Sequence, residues 1–170
     1  MPGIELIEGS LAPELMQLIE EAPLPSIGDE GAIEGVAVRV PAVTKQLAIR
    51  GTLAESGLWL LAGELDRSHS ISQNDGSAEG SFWHGIMHRR EGDFGNSKYW
   101  FRRVGAHPVH DQLKATILSA ELLEPTLKSS LTEAASIADA IVDACHSVAS
   151  GKTEWQSDLQ EVCWWEWQLL

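Results

Sequence analysis

Apolar residues in this chain return every three or four positions and almost never alternate, which directs it toward helices packed on helices. Leu11, Leu15, Leu18, Ile19 and Ala22 form one stripe and predict a helix over 11–22, with Ser10 as its N-cap. Further helices are expected within 42–54 and over 55–68, the latter from Leu58, Trp59, Leu61, Ala62 and Leu65. One run, GVAVRVP, alternates like a strand through Val36, Val38 and Val40, and Pro41 cuts it short. PLPSIGDEG (23–31) and SQNDGSAEGS (72–81) read as loops. Two helices, 82–91 capped by Ser81 and 96–104 closed by Gly105, meet at GDFGN. Another covers 109–122 and breaks at Pro125, and Thr132 and Gly151 frame the next. The expectation is an all-α helical bundle of about six to seven helices, a single domain over residues 1–170.

The last element, TEWQSDLQEVCWWEWQLL, places Trp155, Leu159, Val162, Cys163 and Leu169 on one face, and Trp164, Trp165 and Trp167 widen it. Three readings fit: the helix packs centrally, it forms a homo-oligomer contact, or the natural sequence continues beyond Leu170. The first is the simplest.

Composition narrows the function classes. With 44% hydrophobic and 22% charged residues the chain is an ordinary globular protein. No stretch nears the roughly 18 apolar residues of a membrane span. MPGIELIEGS has no basic and apolar signal, and Cys145 and Cys163 are spaced for neither zinc nor a redox CxxC, so a cytoplasmic location is expected. A net charge of −13 argues against nucleic acid and against an anionic membrane surface.

That charge is uneven. The segment WHGIMHRREGDFGNSKYWFRRVGAHPVH (83–110) holds five of the twelve cations and four of the six histidines. It carries +3 inside a chain that is otherwise −16, a local field suited to a small anion. The segment resembles a single tetratricopeptide-type helix hairpin over 82–108. Gly85 and Ser97 match small packing positions, and Gly92, Asp93, Phe94, Phe101, Val104 and Pro108 match turn, packing and terminal-proline positions. The resemblance implies a tight hairpin and no activity. The longer pattern, SHSISQ followed by WHGIMHRREGDFGNSKYWFRRVGAHPV, is similar to a set of uncharacterised bacterial proteins and implies no function.

Two constellations carry chemistry. His84, His88 and Glu91 sit at i, i+4 and i+7 on one helix face, and two imidazoles four apart can present their nitrogens to one divalent ion. Glu91 or a histidine from a nearby segment, His69 or His107, would complete the set. Gly85 follows the first histidine, so this is not HExxH. The alternative is a pair of semi-buried histidines satisfied by Asp66, Tyr99 or backbone carbonyls. The second constellation is Asn96, Tyr99, Trp100, Arg103 and His107, a mixed aromatic and polar stripe on the following helix. Together with His84 and His88 it could bind a small anionic molecule. The arginine pairs, Arg89-Arg90 and Arg102-Arg103, offer either an anion clamp or ion pairs to the acidic remainder.

Asp66, Ser68 and His69 lie too close along one turn for a catalytic triad, and no GxSxG, P-loop, dinucleotide fingerprint or EF-hand loop is present. Three functions remain: a binding site for a small anion, a metal-dependent hydrolase or lyase built on the HxxxH pair, and a non-catalytic interaction domain.

Overall fold

Proline and glycine decide where these helices begin and end. The computed structural model describes residues 11–170, so the expected cap Ser10 lies outside the described residues. Helices α1 (Pro13–Glu21), α2 (Glu34–Ala37), α3 (Val40–Gln46), α4 (Leu53–Leu61), α5 (Leu65–Ser72) and α6 (Ala78–Glu91) are followed by α7 (Phe94–Val104), α8 (Pro108–Ser119), α9 (Pro125–Thr132), α10 (Ile137–Ala149) and α11 (Gln156–Leu169). A 3-10 turn at Thr153–Trp155 leads into the last. The fold is all-α, with no strand among the described residues, and six to seven helices was an undercount.

Each extra helix has a local cause. The strand-like GVAVRVP is helical: Val36 and Val40 are buried four residues apart, while Val38 between them is 66% exposed. Pro41 sits in the first turn of α3, where its missing N–H costs nothing. The helix expected over 55–68 breaks at Gly63, whose φ is +74° and whose added Cβ would lie 2.3 Å from the Gly31 carbonyl oxygen. Pro125 opens α9 rather than only ending what precedes it, and the Glu124 carboxylate caps it by accepting the Leu127 N–H at 2.8 Å. Ser77, not Ser81, caps α6 through the Gly80 N–H at 2.9 Å. Ser136, not Thr132, caps α10 through the Asp139 N–H at 3.2 Å.

Three apolar clusters fill the interior. One gathers Leu113, Ile117, Leu127, Leu131, Ile141 and Leu159 from α8 to α11. Another joins Leu18, Val40, Leu58 and Leu61 of the first four helices to Trp164 of α11. Between them α6 and α7 contribute Phe82, Met87, Phe101 and Val104. Helix α6 is buried without interruption from Gly80 to Arg90.

Helices α6 and α7 approach closely because residue 85 has no side chain. A Cβ there would stand 3.2 Å from the Phe101 ring, and Ser97 Oγ donates to the Gly85 carbonyl at 2.7 Å. Gly92, at φ +87°, ends α6, and Asp93 caps α7 by accepting the Asn96 N–H at 3.0 Å. The two helices form a close pair, and nothing beyond that ties it to the tetratricopeptide pattern. In α11, Trp164 is buried and stacks on Trp167 at 5.1 Å between ring centroids. Trp167 Nε1 donates to the Gly57 carbonyl at 2.9 Å, so the tryptophan face is engaged within the chain.

Candidate functional site

The helical spacing of His84 and His88 brings their rings together, stacked at 4.7 Å and 19°. The third ring comes from α5. Ser68 is fully buried and its Oγ lies 2.8 Å from Ser56 Oγ, which fixes α5 against α4. The next residue, His69, then meets His84 edge-on at 4.7 Å and His88 at 5.6 Å. One ring nitrogen from each of His69, His84 and His88 lies within 4.8 Å of the others.

The three histidines differ in what holds them. His88 is 7% exposed; its Nδ1–H donates to the Glu91 carboxylate, and its Nε2 accepts from Asn96 Nδ2 at 2.9 Å. That arrangement fixes the tautomer, with Glu91 behind the ring as a carboxylate–histidine pair. His84 is 3% exposed, and neither of its ring nitrogens has a hydrogen-bond partner among the described residues. Trp100 stacks on it at 4.0 Å and 15°. Burial, reinforced by the neighbouring His88 and His69, pulls the His84 pKa down to about 4, so the ring is neutral at neutral pH. His69 is only partly buried and forms the open side of the cluster.

The remaining expected residues divide. Arg103 lies over Trp100 at 5.1 Å and over Tyr99 at 6.0 Å, on the outer side of the aromatic stack, and Tyr99 is exposed. His107 is elsewhere: its Nε2 stands 3.8 Å from Glu79, its ring meets Phe82 at 5.3 Å, and its Nδ1 caps α8 through the Val109 N–H at 3.3 Å. It is therefore a helix cap and not a fourth member of the cluster. The alternative in which Asp66, Tyr99 or a backbone carbonyl satisfies His84 and His88 is replaced by Glu91 and Asn96 for His88 and by no partner for His84. Glu91 stands behind His88 but also belongs, with Asp93, to a second and more exposed group of donors around that ring.

The arginine pairs part in the same way. Arg89 is buried against Glu166 of α11, and Arg90 Nη1 donates to the Leu60 carbonyl. Neither turns back to Glu91 or Asp93 at the hairpin. Sequence reasoning passed over Glu166, although a carboxylate set among Trp164, Trp165 and Trp167 required a cationic partner. The Asp66, Ser68 and His69 set forms no triad, since Ser68 is bound to Ser56 and Asp66 is exposed.

Three imidazoles with a nitrogen each within 4.8 Å of the others could hold a zinc-class ion at about 2.0–2.1 Å once the stacked His84 and His88 rings turn and close by roughly 1 Å. The chain matches no protein-family model, no curated protein and no solved structure.

Proposed function

We propose that this chain binds a transition-metal ion of the zinc class through His69, His84 and His88. The observation that carries the reading is His84: a buried imidazole with two unpartnered nitrogens, beside two more imidazoles. A buried polar group without a partner is costly, and a ligand that takes its lone pair removes that cost. Glu91 supports the reading as the outer partner that orients the His88 ring. The Asn96 amide donates to the His88 lone pair, so an ion that takes this nitrogen displaces the amide.

His69, His84 and His88 would hold the ion, which would supply Lewis-acid activation of a bound water or a place for a small anion. Hydrolysis or a lyase reaction is the chemistry such a site supports. Arg103, outside Trp100, would act on a ligand approaching the rim rather than on the ion.

Metal analysis of untagged protein and a cobalt(II) titration followed by its visible bands test the proposal. We expect one ion per chain, and loss of binding in His84→Ala by more than the roughly 10–100-fold of an outer-partner change such as Glu91→Gln. Substoichiometric metal after reconstitution, or His84→Ala that binds as tightly as the parent chain, would overturn it.

A further inference from the structure

Helix α6 also carries two arginines that the histidine cluster does not use. Arg89 is 2% exposed and Arg90 6%. Arg89 gives Nη2 to Glu166 and Arg90 gives Nη1 to Leu60, while Arg89 Nη1 and Arg90 Nε have no hydrogen-bond partner among the described residues. Both side chains line a cavity of about 20 Å³, which Cys163, Ser26 and Ile27 help to enclose. That is room for one atom-sized occupant.

The charges do not balance here. Glu166 compensates Arg89, whereas Arg90 has no ion-pair partner among the described residues. Cys163 acts on Arg90 first, then Asp29 and Glu30, none of them as an ion pair among the described residues. Burial draws the Arg90 pKa down, yet a guanidinium stays charged in a folded protein. A buried, unpaired cation is among the costliest groups a fold can hold.

We infer that a monovalent anion of chloride size occupies this cavity, accepting from Arg89 Nη1–H and Arg90 Nε–H and supplying the missing charge. Water would accept the same hydrogen bonds but leave the charge uncompensated. Phosphate or a carboxylate metabolite needs more room. The inference is independent of the metal reading and fails or stands on separate measurements.

Crystals of the full chain in sodium bromide test it directly. The expected result is an anomalous bromide peak in contact with both nitrogens. In solution, Tm in chloride or bromide at tenfold the Kd should exceed Tm in gluconate at equal ionic strength by about 3–6 °C. Arg90→Met should abolish the difference. A cavity that holds only an ordered water, or an Arg90→Met protein with the same halide dependence, would overturn the inference. Should Arg90→Met fail to fold, the bromide crystal of the parent chain decides alone.

Discussion

Within seven residues, α6 displays two treatments of buried polarity. Arg89, on one face, meets a carboxylate from α11 across 77 residues of sequence. His84, on the other, meets only rings. The first is a polar group that the fold itself satisfies, at least at Nη2. The second is a polar group that the fold encloses without a hydrogen-bond partner among the described residues. Depth does not separate them, since both are under 5% exposed. What separates them is the partner, and a buried donor or acceptor gains stability from a partner far more than from position.

This contrast can be broken most severely at Glu166. Glu166→Gln leaves Arg89 buried and uncompensated and should cost about 3–5 kcal/mol in urea unfolding. The double variant Arg89→Met/Glu166→Leu should recover most of that loss. A Glu166→Gln cost below about 1 kcal/mol would mean that the pair is incidental to the core.

The opposite sign is expected across the helix. His84→Leu in chelator-treated protein should leave stability unchanged or raise it by about 1 kcal/mol, because it removes unpartnered nitrogens without opening a large cavity. The same variant should lose all stabilisation by added zinc. A substantial loss of stability in the chelator-treated protein would make His84 a packing residue like its neighbours.

Protons sharpen the comparison further. The His84 pKa is lowered on folding to about 4, below the ordinary 6.5, so the unfolded chain binds the extra proton first. Stability should therefore be fully present above pH 6.5, fall as pH drops from 6.5 toward 4, and level off below. His84→Leu should flatten that part of the Tm–pH curve.

The smallest effect falls at the amide. Asn96→Ala removes the donor that competes for the His88 lone pair, and should tighten metal binding by roughly 2–10-fold while changing stability by under about 1 kcal/mol. Weaker binding instead would make the Asn96 side chain a ligand.

How much of this could be read from the sequence depends on the range of the interaction. The HxxxH pair is local, and helical spacing alone placed His84 and His88 on one face. Caps are local too, but Ser77 and Ser81 both precede the same apolar run, as Thr132 and Ser136 do theirs, and periodicity cannot choose between them. The break at Gly63 depends on the Gly31 backbone, 32 residues away, and the stripe through Leu58 and Leu65 concealed it. His69 joins the cluster through the Ser56–Ser68 contact, which no pattern announces. His107 was drawn into the expected site by its nearness in sequence, whereas the Glu79 and Phe82 contacts that hold it arise from tertiary packing.

The uninterrupted burial of α6 from Gly80 to Arg90 has a kinetic consequence. Amides with no exposed side of their helix exchange with solvent chiefly through global unfolding, so this segment should be the last of the chain to take up deuterium. The backbone that carries His84, His88, Arg89 and Arg90 therefore offers no local opening through which a ligand could pass. For the proposed ion and anion, entry and exit would fall to the partly buried His69 on one side and to Ser26 and Ile27 on the other.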